Sequence, residues 1–270
     1  MNDAVSEKNK EFWSELCGSQ LAKQLGIQDN SKESLLKYDK WFMDYYPYLY
    51  KHIPFKDVAN KDVLEVGLGY GTVAQKLMEH GARYQGLDIA SGPVEMVGHR
   101  ISQSDFFGQA HQGSILDAPF SDNSFDYVVA IGCYHHTGDM HKAINETWRI
   151  LKNEGVAIIM VYNAYSYRRW LRSFSDTFSY FKNSARGDFS LFSSSNKERG
   201  MYDVDSSGNA APHTDFFSSR HINYLASSWS SVSVVAENIG DESFLKLIPR
   251  KYKLHAGKYF GLDIYCQLVK

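Results

Sequence analysis

Three glycines at alternate positions, between a short apolar run and a helix-like run, constrain this chain more than any other feature. They are Gly67, Gly69 and Gly71 in the segment DVLEVGLGYGTVAQKL (62–77), and an acid, Glu65, precedes them. Glycine has no Cβ, so a glycine turn bends sharply and lets the backbone approach a ligand closely. A strand, such a turn and a helix in this order are typical of the ligand-binding edge of an open parallel sheet.

Strand-like and helix-like segments alternate from this turn to about residue 163. The strand-like segments are DVLEVG, RYQGLDIA, FFGQAHQGS, SFDYVVAIG and VAIIMVYN. The helix-like segments between them are TVAQKLMEHG, PVEMVGHRIS and MHKAINETWRILKN, which we expect Gly155 to close. Apolar strands that alternate with helices indicate a parallel sheet covered on both faces. After a further helix, SRHINYLASSW, two more strands follow in SVSVVAEN and FGLDIYCQLVK. We therefore predict a doubly wound, Rossmann-like α/β core.

Two segments lie outside this alternation. Residues 1–60 are helix-like and aromatic, and we predict that they cap a core formed by residues 61–270. Residues from 164 to about 218 are rich in aromatic residues, serine and arginine, and we predict an insertion after the fifth strand. Such segments commonly close over bound small molecules and exclude water. We expect the two to form a lid together.

Composition narrows the class of protein. The 270 residues are 43% hydrophobic and 22% charged with a net charge of −2, which gives no broad basic surface for nucleic acid. No apolar run approaches the length of a membrane span, and the start, MNDAVSEKNKEF, lacks a secretory core. Cys17, Cys133 and Cys266 form no CxxC pair, which favours free thiols in a reducing compartment. We expect a cytoplasmic protein without a metal, a nucleic-acid partner or a membrane partner.

Two acids near the glycine turn indicate the kind of ligand. Asp88 ends the second strand roughly 20 residues beyond the first glycine, where a carboxylate holds ribose hydroxyls. Glu65 would repel a pyrophosphate but suits an ammonium group. A nucleoside joined to an amino acid, such as S-adenosylmethionine, carries both groups. The alternative is a nicotinamide dinucleotide, which the sequence G-L-G-Y-G in place of GxGxxG disfavours.

Taken together, VLEVGLGYGT, GLDIA, GSILDAPFSDNSFDYVVAIGCYHHTGD and INETWRILKNEGVAIIMVYN resemble the successive motifs of class I S-adenosylmethionine-dependent methyltransferases. The resemblance covers residues 61 to about 163. It implies a seven-stranded, mostly parallel sheet with the last strand antiparallel. It also implies S-adenosylmethionine as the cofactor, S-adenosylhomocysteine as the product, and methyl transfer to a small-molecule acceptor. A non-catalytic subunit that keeps the cofactor pocket is the alternative.

The resemblance further implies a set of cofactor-binding residues. Glu65, Gly67 and Gly69 would line the methionine half, Asp88 would hold the ribose, and Ile89 would pack on the adenine. Where many members carry an acid after the third strand, this chain has serine, so that serine or the backbone of the next residue takes the adenine contact. The whole predicted set is Glu65, Gly67, Leu68, Gly69, Gly71, Asp88, Ile89, Ser114, Ile115 and Gly132.

Three histidines are candidates for a general base, because histidine titrates near neutral pH. His135 and His136 follow the fourth strand in GCYHHTGD, although such a pair also packs and bonds to backbone. His213 lies in APHTDFFS with Asp215, which would orient it. The alternative for that segment is a loop in which Asp215 or Ser218 caps the next helix.

Aromatic and basic residues are candidates for acceptor binding. Arg168 and Arg169 in YNAYSYRRW suit a carboxylate or phosphate, which suggests an anionic acceptor, although they also suit a solvated helix face. The cluster WFMDYYPYLY (41–50) offers aromatic faces, or packs an amphipathic helix on the core. The predicted acceptor-binding set is Tyr46, Tyr134, Arg168, Arg169 and Asp215.

Overall fold

The structure is a computed structural model that describes residues 2–15, 19–189, 194–242 and 245–270. Cys17 and part of the serine-rich stretch FSLFSSSNKERG lie outside the described residues, so the thiol expected at position 17 stays a prediction. Cys133 and Cys266 are free thiols, as expected.

The described residues form a mixed sheet of seven strands in the order β3-β2-β1-β4-β5-β7-β6. Strands β1 to β4 and β5 are mutually parallel, whereas β7 runs antiparallel to both of its neighbours, β5 and β6. This confirms the predicted Rossmann-like sheet with its last strand antiparallel. The strands are β1 (Asp62–Val66), β2 (Arg83–Asp88), β3 (Gly108–Gln112), β4 (Phe125–Ile131), β5 (Leu151–Tyr162), β6 (Ser231–Glu237) and β7 (Asp263–Val269).

Helices cover both faces of the sheet. Side chains alternate across a strand, so neighbours such as Val63 and Leu64 of β1 enter different hydrophobic clusters. The helices are α1 (Asn2–Ser14), α2 (Ser19–Gln24), α3 (Lys32–Tyr45), α4 (Leu49–His52), α5 (Thr72–Glu79), α6 (Ser91–Ser102), α7 (Met140–Ile150), α8 (Tyr167–Arg172), α9 (Phe174–Ala185), α10 (Asn196–Arg199), α11 (Ser219–Leu225) and α12 (Arg250–Phe260).

Two local predictions differ from the structure. Helix α7 ends at Ile150 rather than near Gly155, because Leu151 is fully buried and already pairs with Phe125 of β4. The pairing then shifts register before Val156. Helix α12, which connects β6 to β7 and packs on β6, was not predicted as a helix.

The N-terminal segment before β1 contains helices α1–α4, and the insertion after β5 contains helices α8–α10. The aromatic cluster at residues 41–50 packs on the sheet: Met43, Tyr48 and Leu49 are buried in one core cluster, and Tyr46 packs partly buried against it. Packing on the core is therefore the role the structure gives this cluster. Strand order reverses between β1 and β4, and this switch point opens a crevice at the carboxyl ends of the strands.

Candidate functional site

An open cavity lies at the carboxyl ends of β1, β2 and β4, with about 810 Å³ of empty space that includes its mouth to solvent. One side is formed by the glycine turn and the loops after β2, β3 and β4, and the other by helix α1. Its lining residues are Ser6, Asn9, Trp13, Val66, Gly67, Gly69, Leu87, Asp88, Ile89, Pro93, Gly113, Ser114, Ile115, Leu116, Ile131, Gly132, Cys133, His136 and Thr137.

The glycine turn needs its glycines for different reasons. All three have left-handed backbone, with φ of 78° at Gly67, 49° at Gly69 and 76° at Gly71. A Cβ at Gly67 would lie 2.5 Å from the Cβ of Cys133, and one at Gly71 would lie 2.8 Å from the Arg100 side chain. At Gly69 no atom would lie within 4 Å. The outer glycines therefore permit packing, while the middle one leaves backbone open at the cavity.

Asp88 lies where the sequence predicted a ribose-binding acid. Its carboxylate accepts hydrogen bonds from the backbone N–H of Leu68 at 2.7 Å and of Ala90 at 2.9 Å. Burial raises the pKa of Asp88 to about 6. The backbone hydrogen bonds lower this pKa, but their effect is smaller than that of burial. Each carboxylate oxygen has a second lone pair, so Asp88 can hold the glycine turn and still accept from a ligand in the cavity.

Glu65 lies behind the turn and is absent from the cavity lining. Its carboxyl group accepts a hydrogen bond of 2.7 Å from the hydroxyl of Tyr84. Burial raises the pKa of Glu65 to about 8, so the group is mostly protonated at neutral pH. The attraction for an ammonium group that the sequence suggested therefore does not follow from this carboxyl in its buried position.

Some of the other predicted cofactor residues line the cavity, and some do not. Ile89, Ser114, Ile115 and Gly132 line the cavity with Gly67, Gly69 and Asp88, whereas the side chain of Leu68 is buried and Gly71 lies against Arg100. The hydroxyl of Ser114 accepts from the backbone N–H of Leu116 at 3.1 Å and caps a short 3₁₀ turn. Its predicted adenine contact stays a prediction.

His136 is the one predicted base among the cavity-lining residues. Its Nδ1 lies 2.6 Å from the carbonyl oxygen of His213. A carbonyl only accepts, so Nδ1 carries the hydrogen and Nε2 holds the lone pair of the neutral ring. No hydrogen-bond partner of Nε2 is present in the described part of the chain. Burial lowers the pKa of His136, which keeps the imidazole neutral and able to accept a proton at neutral pH.

Asp203, in the insertion, is the acid nearest to His136 and was not predicted. Its Oδ2 lies 3.6 Å from Nε2 of His136 and accepts a hydrogen bond of 2.9 Å from the hydroxyl of Tyr162. Its charge opposes the lowering of the His136 pKa by burial, while burial raises the pKa of Asp203 itself. No local sequence signal joins positions 136 and 203, which only the tertiary fold brings together.

The remaining predicted bases do not line the cavity. His135 is fully buried between the rings of His136 and Tyr162, with centroids 4.1 and 4.0 Å away, and burial lowers its pKa well below the usual value. His213 and Asp215 do meet, with Nε2 2.9 Å from Oδ2. The N-cap of α11 is a different residue, Ser218, as one alternative proposed.

The predicted acceptor-binding residues lie elsewhere. Tyr134 is buried in the core, where its hydroxyl hydrogen-bonds Thr147 at 2.6 Å. Arg168 donates to Glu242 at 2.9 and 2.7 Å, and its guanidinium lies 4.7 Å from the centre of the Tyr202 ring. The guanidinium of Arg169 is buried. It lies 3.1 Å from the carboxylate of Glu198 and 4.1 Å from the centre of the Phe216 ring. Arg169 therefore holds the insertion together, and Arg168 joins it to the segment after β6.

Helix α1 supplies side chains that sequence reasoning missed. Asn9 donates from Nδ2 to the backbone carbonyl of His136 at 2.7 Å, and the ring of Trp13 lies 4.8 Å from the imidazole. Asn9 and Trp13 are four residues apart and so share one helix face, which was the only signal in the sequence. The aromatic wall of the cavity is thus Trp13 rather than the cluster at residues 41–50.

Among the described residues, no group of three or more His, Cys, Asp or Glu side chains is arranged to hold a metal ion. No helix formed by the described residues is long and apolar enough to cross a bilayer.

Residues 64–159 match the family model described as "Methyltransferase domain". Over 104 residues, 37% of this chain and 23% of the relative, the chain is 31% identical to phosphoethanolamine N-methyltransferase 2 of Caenorhabditis elegans. Over 103 residues, 37% of each chain, it is 32% identical to phthiotriol/phenolphthiotriol dimycocerosates methyltransferase of Mycobacterium tuberculosis. The matched region thus spans under two fifths of the length of these relatives.

Solved methyltransferases share the fold over most of their length. A methyltransferase from Haloferax volcanii, solved with its activator Trm112, superposes with a TM-score of 0.56 at 17% identity, covering 86% of this chain and 93% of its own. A second, from Thermotoga maritima, gives 0.53 at 18%, covering 87% and 95%.

Residues 64–159 thus match a methyltransferase domain, and the fold and the glycine turn agree with the class I S-adenosylmethionine-dependent methyltransferases that the sequence resembles. The predicted resemblance and the cofactor it implies, S-adenosylmethionine, are confirmed for this matched region. A nicotinamide-binding Rossmann enzyme finds no support among these matches.

Proposed function

We propose that the whole chain is an active methyltransferase that transfers the methyl group of S-adenosylmethionine to a small molecule bound between helix α1 and His136. The observation that supports this most is the single continuous cavity. It joins the open backbone at Gly69 and the acid Asp88 to Trp13 and His136. Cofactor and acceptor thus have adjoining places, as in-line methyl transfer requires.

The cavity lining fits the cofactor's chemistry. Asp88 offers carboxylate oxygens to ribose hydroxyls, Gly69 leaves room for close backbone contact, and Ile89 and Ile115 give an apolar surface for the adenine. When bound, S-adenosylmethionine supplies an activated methyl group on a sulfonium. The chain itself aligns the acceptor and excludes water, and helix α1 closes one side of the cavity.

His136 is the residue we assign to accept the acceptor's proton. Its Nδ1–H is fixed on the carbonyl of His213, so the ring is oriented, and the buried Nε2, which a bound acceptor must reach, is left as the basic atom. Asp203 lies close enough to stabilise the imidazolium that forms. His135, which does not line the cavity, then serves to pack against this ring.

The lining favours an uncharged acceptor over an anionic one. No lysine or arginine of the described chain lines the cavity, and Arg168 and Arg169 are neutralised by glutamates. The two named relatives act, by their names, on phosphoethanolamine and on phthiotriol or phenolphthiotriol dimycocerosates, so neither name assigns the acceptor here. We therefore propose a neutral small molecule with a dissociable O–H or N–H proton, rather than a nucleic acid. A cytoplasmic location, consistent with the free thiols, belongs to this proposal.

Two measurements test the function. Calorimetric titration with S-adenosylhomocysteine, with NAD as the control, should show micromolar binding of the first alone. A panel of small phenols, amines and anionic metabolites is then incubated with isotopically labelled S-adenosylmethionine. Binding without transfer to any compound would favour the non-catalytic subunit, and preference for NAD would overturn the cofactor assignment.

The role of helix α1 is tested in the same assay. Asn9→Ala removes the bond to the His136 carbonyl and should weaken S-adenosylhomocysteine binding by roughly fivefold, the effect of about 1 kcal/mol. Lys10→Ala is the matched control, since Lys10 lies on the same helix and pairs with Glu7 at the surface. Equal affinity in both variants would show that α1 does not close the cavity.

A further inference from the structure

Helix α9 (Phe174–Ala185), in the insertion after β5, presents an aromatic face to solvent. Phe174, Phe178 and Phe181 lie at the spacing i, i+4, i+7 and are 62%, 44% and 48% exposed. The opposite face is buried and more polar. Its buried residues are Thr177, Tyr180 and Ser184. An amphipathic helix of a globular protein normally has the reverse arrangement, so the outward face requires an explanation.

The exposed rings form one continuous surface. Phe174 stacks on Phe178 at 5.9 Å with their planes 6° apart, and Phe178 lies 6.5 Å from Phe181. Trp170 of α8 extends the row, 5.7 Å from Phe174, and Leu171 beside it is 67% exposed. We call these five residues the aromatic ridge. Contiguous apolar patches of this kind usually mark an interaction site.

The aromatic ridge is separate from the site described above, since none of its residues lines the cavity. The buried face of α9 lies towards α11, where the hydroxyl of Tyr180 is 3.2 Å from Nδ1 of His221. The ridge therefore lies on the outside of the insertion, away from the cavity.

Charge around the aromatic ridge is positive on balance. From residue 171 to 188 the sequence contains Arg172, Lys182 and Arg186 against two acids, Asp176 and Asp188, and all five are exposed. The ammonium of Lys182 lies 5.8 Å from the centre of the Phe178 ring. Aromatic rings flanked by lysine and arginine suit the boundary between lipid headgroups and acyl chains.

We propose that the aromatic ridge docks this protein on the surface of an anionic lipid bilayer, with the rings among the headgroups and the three cations beside lipid phosphates. A second copy of the chain fits less well, because an isologous contact through this face would bring cations of both copies together. This docking differs from spanning, and it departs from the expectation that the protein has no membrane partner. It does not depend on the proposed methyl transfer.

The test is flotation of the full chain with vesicles of phosphatidylcholine alone or mixed with phosphatidylglycerol. We expect binding to the mixed vesicles that weakens with added salt. The variant Phe174→Ser/Phe178→Ser should lower the partition coefficient by roughly tenfold or more. Lys182→Glu/Arg186→Glu should lower it by a similar factor on mixed vesicles only. Phe107→Ser is the matched control, since Phe107 is 92% exposed outside the insertion.

Equal flotation of the ridge variant and the Phe107→Ser control would overturn the proposal, as would failure of the native chain to float with mixed vesicles. So would a native dimer in light scattering that becomes a monomer in the ridge variant, because the face would then join two copies. Unchanged thermal unfolding in the ridge variant excludes misfolding as the cause of lost binding. Binding of S-adenosylhomocysteine, measured in parallel, reports separately on the cofactor site.

Discussion

Arg100 and Asp39 form a buried, bidentate ion pair directly behind the glycine turn. Nη1 and Nη2 of Arg100 donate to the two carboxylate oxygens at 2.8 and 2.9 Å, and Nε donates to the backbone carbonyl of Tyr70. Asp39 also accepts from the hydroxyl of Thr72 at 2.6 Å. The pair thus joins α3, α6 and the turn, and it fixes the backbone that borders the cavity.

Arg100→Met should lower the free energy of unfolding by about 3–5 kcal/mol, because it leaves the carboxylate of Asp39 buried without its partner. Arg83→Met is the control: Arg83 makes an equally bidentate pair with Asp62, but at the surface, where about 0–1 kcal/mol is expected. Urea unfolding of both variants measures the difference. Equal losses would mean that the buried pair adds nothing beyond a surface one.

Gly67→Ala and Gly69→Ala should separate stability from binding. Both positions have positive φ, which costs an alanine about 1–2 kcal/mol. At Gly67 the new methyl would also overlap Cys133, so this variant should unfold at a clearly lower temperature, and Cys133→Gly should partly rescue it. At Gly69 the methyl meets no protein atom, and affinity for S-adenosylhomocysteine should fall about tenfold instead. Thermal unfolding and calorimetry check the two effects, and a reversed pattern would contradict the assigned roles.

Glu65→Gln should stabilise the protein at alkaline pH. The folded pKa of about 8 lies above the ordinary value of 4.5, so the folded state retains the proton between these pH values. The free energy of unfolding therefore falls as the pH rises through this window. Glutamine keeps an acceptor for the Tyr84 hydroxyl and does not ionise. We expect similar melting temperatures near pH 5 and a variant more stable by roughly 2–4 kcal/mol at pH 8.5. Greater stability of the native chain at pH 8.5 would refute this.

Asp203→Asn should lower the pKa of His136 further, because the carboxylate is the main influence that opposes burial. NMR titration of the His136 ring measures this directly and needs no acceptor. The pKa of His136 in the folded state lies below the ordinary value, so the free energy of unfolding of the native chain decreases as the pH falls below about 6.5. In Asp203→Asn this decrease should be at least as steep. Asp122→Asn, which changes a distant surface acid paired with Arg149, should leave the His136 titration unchanged. An unaltered His136 pKa in Asp203→Asn would remove Asp203 from the proposed site.

The fold and the cofactor side of the cavity could be predicted because their signals are local. Gly67, Asp88 and Ile89 each lie at the end of a strand whose apolar pattern is visible in the sequence, and parallel strands bring their carboxyl ends together. One feature of the cofactor side depends on burial, which the sequence pattern does not show: the position of the Glu65 carboxyl group. Glu65 precedes the turn as expected, yet it bonds to Tyr84 behind it.

The acceptor side could not be predicted because distant segments build it. Trp13 and Asn9 reach the cavity from helix α1, and Asp203 reaches His136 from the insertion. Arg168 and Arg169 were misleading for the same reason: their partners, Glu242 and Glu198, lie far along the chain. A basic pair in a sequence carries no sign of whether a distant acid neutralises it.

Helix α1 supplies one wall of the cavity and is held to the opposite wall through Asn9 and the ring of Trp13. A cofactor or product that passes between this helix and the loop that carries His136 requires α1 to separate from that loop. The frequency of that separation is a property of helix packing and not of the molecule being methylated. An upper limit on turnover would then be common to all acceptors, good and poor alike.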